Sequence, residues 1–284
     1  MSGRRPPRAR PGRIGSLLLG LGALAPLSAA QAQPLSHSGG ACVLPEAERA
    51  ASVPTPAPQP PRPEPAPGNA DYRYQLRAGP WGWVHRSPWC VWIEPLGTSP
   101  SLWDRRWSEA VEAALVRWQE ILPIERVKVP SAAQIQLLRR RPPLRLLEGE
   151  QRASHGRAEF LGARWVRRQG SWRLEPRLRV LLSPGQRQSG IEATALHELG
   201  HGFGLWGHSD LSGDVMAAVP GAQPVLQISP RDRATLLWLQ QQPSLFAPGS
   251  GGEALPPPAD AEGQQEADQL HDHHTGAGGE IQHR

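Results

Sequence analysis

The chain has 284 residues, with 31 Lys+Arg against 26 Asp+Glu and a formal net charge of +5, a balance that on its face suggests an anionic partner. Five of the arginines lie in residues 1–32, which hold no acid, so the excess belongs to the N-terminus and the remainder is neutral. No apolar run reaches the roughly 20 residues that cross a bilayer, which excludes a multispanning membrane protein.

Arg4, Arg5, Arg8, Arg10 and Arg13 form a positive n-region, and Ile14–Leu27 an apolar h-region. Ala30 and Ala32 then stand in the A-x-A arrangement of a cleavage site. This reads as a secretory signal peptide cut after Ala32, and hence as a secreted, periplasmic or cell-envelope protein. An uncleaved anchor is the alternative, but the run is short and Pro26 breaks it, so no stable membrane span is expected in the mature form. Residues 33–70 include the run PTPAPQPPRPEPAP and are expected to be a Pro-rich disordered linker. Cys42 and Cys90 survive cleavage, and in an oxidising compartment a disulfide between them is the default.

Residues 71–245 hold 23 basic and 16 acidic side chains and are long enough for one core. Cys90–Glu94 reads as a strand ended by Pro95. The spacing of Trp103, Trp107, Val111, Leu115, Trp118 and Leu122 predicts a helix over 103–121 with one broad apolar face. Arg126–Val129, Gln134–Leu138, Glu159–Trp165 and Leu178–Leu182 are further strand candidates. Twelve Arg and only four acids fall between Arg139 and Arg179; a solvated sheet face is the favoured reading, with an anionic partner as the alternative. Ser229 as N-cap, Pro230 in the first turn and Asp232 three residues after the serine mark a last helix. Residues 246–284, with one Arg and seven acids, are expected to be a disordered acidic tail containing His271, His273, His274 and His283.

Chemistry concentrates in His197-Glu198-Leu199-Gly200-His201-Gly202-Phe203-Gly204-Leu205-Trp206-Gly207-His208. On a helix, residues four apart share a face, so His197 and His201 can converge on one metal ion. Glu198 then stands beside the metal without ligating it, where it can move a proton. Gly204 suits the left-handed turn that ends a helix. His208 can close the site as third ligand and leave a fourth position open. Met216 follows in Gly213-Asp-Val-Met216.

His197 to Met216 resembles the metzincin pattern H-E-x-x-H-x-x-G-x-x-H with its Met-turn, and Ser209 after the third histidine resembles the matrixin branch. The Trp-rich helix, Ala133-Gln-Ile-Gln-Leu and Ile228-Ser229-Pro230-Arg-Asp232 resemble matrixin elements over roughly residues 88–240. The resemblance implies an α+β catalytic domain with a twisted, mostly parallel five-stranded sheet, three helices and a cleft. It implies a zinc metalloendopeptidase that acts on protein or peptide substrates as a monomer, without nucleic acid. One catalytic Zn2+ is implied on His197, His201 and His208, with a zinc-activated water, Glu198 as general base and then acid, and Met216 in a structural Met-turn; calcium is left open. An extended substrate is expected to pair with an edge strand near Gly156–Leu161.

Departures from the pattern bear on function. His208 lies seven residues after His201 rather than six, which leaves Gly207 as the extra residue and Asp210 as a substitute ligand. Met216 is followed by Ala-Ala-Val-Pro220 in place of an aromatic residue and Pro. His155 stands alone where the family holds a second zinc, and Cys42-Val-Leu-Pro45-Glu46 echoes an inhibitory cysteine motif only faintly. These departures motivate a second reading, a non-catalytic or weakly active zinc-containing envelope binding module on the same fold.

Overall fold

The computed structural model describes residues 41–247, apart from positions 56, 148, 149, 153 and 220. The expected signal peptide, nearly all of the expected acidic tail and its histidines lie outside the described residues. Three helices begin where local chemistry sets them. α1 (Leu102–Gln119) opens on Ser101, whose side chain accepts from the Asp104 N–H while the Asp104 carboxylate accepts from the Ser101 N–H. Its buried side carries Trp107, Val111, Leu115 and Trp118 at the helical period. The indoles also find acceptors, Trp107 Nε1 at Leu182 O (3.2 Å) and Trp118 Nε1 at Leu196 O (3.1 Å), so α1 is keyed to its neighbours by polar as well as apolar contact. Trp103, expected on the same apolar face, is instead 55% exposed; it sits on the first turn and takes Arg106 over its ring at 4.6 Å. α2 (Gln188–Gly202) carries the histidine motif, and α3 (Pro230–Gln240) repeats the capping box with Ser229 and Asp232.

The main sheet has six strands and is mixed, which corrects the expected five-stranded, mostly parallel sheet. In spatial order these are β1 (Ala47–Ala50), β7 (Gly156–Arg168), β8 (Ser171–Leu182), β4 (Ile135–Leu138), β2 (Trp89–Ile93) and β3 (Ile124–Arg126). β3, β2, β4 and β8 run parallel, and β7 is antiparallel to both of its neighbours, β8 and β1. A separate hairpin joins β5 (Arg145–Leu147) to β6 (Glu150–Arg152). The additional strand, β1, comes from the segment expected to be a linker. Its sequence, Ala-Glu-Arg-Ala, has no strand periodicity, and its place is set by side-chain charge and by a covalent tie. Glu48 pairs with Arg164 at 2.8 Å and with Arg177, and Glu46 pairs with Arg167 at 3.4 Å. β3 falls a few residues earlier than expected, at Ile124–Arg126, and a 3-10 turn follows at Pro130–Ala132.

β7 and β8 are far longer than their apolar stretches suggest, since they reach each other through a tight turn at Gln169 (φ 50°) and Gly170 (φ 76°). Both central residues have positive φ, the geometry whose twist matches a right-handed hairpin. The arginines on these strands are answered largely from within the protein. Arg179 meets Glu159 at 2.8 Å, and fully buried Glu175 takes Arg168 at 3.0 Å and Arg86 at 3.3 Å. Burial opposes the Glu175 charge, but Arg168 and Arg86 outweigh it and hold its carboxyl below the usual range. No helix among the described residues is long and apolar enough to cross a membrane.

Cys42 and Cys90 form a disulfide that joins the start of the described chain to β2 across 48 residues. Cys42 is therefore held in a disulfide and offers no thiolate as an inhibitory ligand. Cys90→Ser is expected to lower unfolding free energy by about 2–4 kcal/mol, because the cross-link restricts the unfolded chain. Urea titration of both proteins checks this; equal midpoints would contradict it.

Candidate metal centre

α2 packs on the sheet with Ile191, Ala195, Leu196 and Leu199 buried, and its His197, Glu198 and His201 line one cleft. Its end is a Schellman closure: the Gly204 N–H donates to His201 O (3.0 Å) and the Leu205 N–H to Gly200 O (3.0 Å). Gly204 has φ 107°, and a Cβ there would lie 2.0 Å from the Val84 carbonyl oxygen, so both backbone conformation and space require glycine. The chain then reverses, and Gly207, the extra residue of the turn, passes against Gln75 and Leu76. A Cβ at 207 would be 2.4 Å from Gln75 O. The Arg77 N–H donates to Trp206 O at 2.8 Å, which fastens the turn to the same segment.

That turn delivers His208 to the other two histidines. One ligand nitrogen from each of His197, His201 and His208 lies within 4.8 Å of the others. The Nδ1 of His197 faces Val215 O (2.8 Å) and the Nδ1 of His201 faces Leu205 O (2.7 Å). A carbonyl accepts only, so these nitrogens carry the protons and leave each Nε2 lone pair for a ligand bond. Three imidazole nitrogens this close could hold one metal ion. Asp210, the substitute ligand, is directed elsewhere, to Arg231 at 2.9 Å. His155 lines the cleft but does not join the cluster.

Below the histidines, residues 209–218 close a loop. The Ser209 N–H donates to Met216 O (2.7 Å) and the Ala218 N–H to Ser209 O (3.2 Å). Met216 is fully buried, and its Sδ would be 2.3 Å from a Cβ on Gly200, so the thioether fills the space that glycine leaves under α2. Sequence reasoning missed what holds this loop. Asp232, identified only as a helix-capping residue, accepts from the Val215 N–H (2.8 Å), the Met216 N–H (3.3 Å) and the Tyr72 hydroxyl (2.8 Å) as well as from Ser229. Burial and the adjacent Asp232 carboxylate push the Tyr72 hydroxyl well up, so it remains a donor. Arg231 bridges Asp214 (2.8 Å) and Asp210 on the outer side of the same loop.

Glu198 also has partners that motif reading did not supply. Its Oε2 accepts from the Ala158 N–H on β7 at 2.7 Å. Gly156 makes that approach possible, since a Cβ there would be 2.6 Å from Glu198 Cγ and 2.5 Å from Thr194 Cγ2. The carboxylate is thus held at the edge of β7, in the same cleft of about 860 Å³ that the three histidines line. The cleft is also lined by Gly190, Ala193 and Thr194 of α2 and by Ala217 and Ala218. Small residues there leave room for a side chain of a bound molecule.

Burial lowers the pKa of His197 from its ordinary 6.5, with the Val215 carbonyl pulling the other way, and burial likewise lowers His208. Near and below pH 6.5 the folded protein therefore binds fewer protons at these rings than the unfolded chain does. Stability of the metal-free protein is present in full above that range and is lost as pH falls through the depressed values. Protons also compete with a metal, so metal release follows the same direction. Urea midpoints taken from about pH 8 down to about pH 5 are expected to fall; a rise on acidification would contradict the assignment.

No protein-family model and no curated protein matches the chain.

Proposed function

We propose that the chain is an exported zinc-dependent endopeptidase built on a matrixin-like fold. The observation that carries the reading is the convergence of three imidazole nitrogens within 4.8 Å, in one cleft with a carboxylate fixed at an open strand edge. The Cys42–Cys90 disulfide supports export, since such bonds persist in oxidising compartments.

In this reading His197, His201 and His208 hold the zinc ion, which supplies a Lewis acid to the cleft. The Nδ1 protons of His197 and His201, fixed on backbone carbonyls, keep both rings in the ligating tautomer. Glu198 accepts a proton from the attacking water and passes it to the leaving amine, so one water is consumed and one peptide bond becomes a carboxylate and an amine. The Ala158 N–H orients the carboxylate for both transfers. The edge of β7 presents backbone donors and acceptors that hold the substrate extended.

The test is metal content by atomic emission together with cleavage of an unfolded protein, before and after chelation. The expected result is one zinc per chain and cleavage that disappears with the metal and returns on its readdition. Full zinc occupancy without cleavage would favour the binding-module reading on the same site.

A further inference from the structure

The edge of β7 is divided in two. At its far end, the Arg167 carbonyl accepts from the Glu46 N–H (2.8 Å) and the Ala163 carbonyl from the Ala51 N–H (3.4 Å), with β1 paired along Arg164–Arg167. At its near end, Ala158 and Phe160 stand opposite Val180 and Leu178 of β8. The Leu178 N–H is turned away, to the O of Gln134 just before β4 at 2.8 Å, so Phe160 lies in a non-hydrogen-bonded pair and its own N–H and C=O face the open edge. Ala158, two residues earlier, faces the same way, as its N–H bond to Glu198 requires. A bulge between Phe160 and Gly162 separates the halves, and Gly162 supplies the positive φ (123°) that the irregularity uses.

We propose that β1 closes one end of the peptide channel, so that a bound substrate pairs with β7 over only about four residues on the amino-terminal side of its scissile bond. This rests on the endopeptidase reading above. A peptide added to β7 is taken as antiparallel, the pairing β7 already makes with both β8 and β1 and the more stable one per residue. Such a peptide runs in the same direction as β1 and lies end to end with it. Glu198 on Ala158 marks where the scissile bond sits, and the amino-terminal side extends from there past Phe160 toward Gly162. At Ala163 it meets Ala51, which already holds the carbonyl. β1 ends at Ala50, the last bond to β7 is that of the Ala51 N–H, and Pro58 lies against Gly82. β1 is not a loose flap: the disulfide, the Glu48 pairs with Arg164 and Arg177, and Glu46 with Arg167 and the Gly170 N–H fix it on several sides. It acts as a fixed stop, and the remaining edge determines how much of a substrate is read.

The experiment uses zinc-loaded protein carrying Glu198→Gln, which binds without turning over, and peptides lengthened one residue at a time on either side of a common core. Titration calorimetry is expected to show affinity rising about fivefold per paired residue on the amino-terminal side, then flattening after about the fourth. The same peptides on a variant with Glu46→Lys, Glu48→Lys, Cys42→Ser and Cys90→Ser, its fold checked by circular dichroism, are expected to keep gaining beyond that point. Affinity that keeps rising in the protein with β1 intact would overturn the inference, as would flattening confined to the carboxyl-terminal side. Failure of the underlying reading looks different: no peptide of any length binds, which sinks both claims.

Discussion

Replacing Glu198 with glutamine is expected to reduce peptide cleavage by about 10²–10⁴-fold while leaving metal content unchanged. The carboxylate is not one of the three converging ligands, so the ion keeps its histidines. Glutamine is nearly isosteric and its amide oxygen can still accept from the Ala158 N–H, so the fold around β7 is retained. What is lost is the capacity to take a proton from water and return it to the departing nitrogen. kcat/KM on a quenched peptide, with zinc measured on the same sample, checks this. A variant that cleaves within about threefold of the parent would remove Glu198 from the chemistry. A variant that loses zinc would show instead that the carboxylate supports the ligand set.

The second large effect is expected on stability. Asp232→Ala should cost about 4–5 kcal/mol of unfolding free energy, because the residue is fully buried and serves several donors at once. Its removal strands the N–H groups of Val215 and Met216 and deletes the cap that starts α3. It also leaves the buried Tyr72 hydroxyl without its acceptor. Each stranded buried donor costs about 1–3 kcal/mol and the lost cap about 1 kcal/mol. The loop that carries Met216 and offers Val215 O to His197 depends on these bonds, so metal affinity falls together with stability. Asp232→Asn, which keeps one acceptor oxygen, is expected to fall between the parent and the alanine variant. Urea unfolding and a competitive zinc titration on the three proteins measure both consequences; parent-like stability in Asp232→Ala would contradict the role assigned to it.

What was legible in the sequence is what local chemistry writes there. The four-residue step from His197 to His201 needs only a helix to become a pair of ligands. Gly204 marks the turn that follows, and Ser229 with Asp232 writes a helix start in four residues. Elements set by partners distant in sequence were not legible. β1 is held by arginines more than a hundred positions away and by a cross-link, and nothing in Ala-Glu-Arg-Ala announces a strand. The contact between Glu198 and the Ala158 N–H spans 40 residues, and only Gly156, where a side chain would collide with the carboxylate, leaves a trace of it. Asp232 was visible as a cap, but its bonds to the Met216 loop depend on how α3 docks. Trp103 shows the reverse failure: its spacing fits the apolar face of α1, yet the first turn lies outside the core.

The most direct test of the central claim is mass spectrometry of a peptide library digested in water enriched in oxygen-18. If the three histidines and Glu198 form a hydrolytic centre, zinc-loaded protein generates new carboxyl termini that each carry one labelled oxygen, and the Glu198→Gln protein generates none above background. Absence of new termini from a sample shown to hold its zinc would contradict the account.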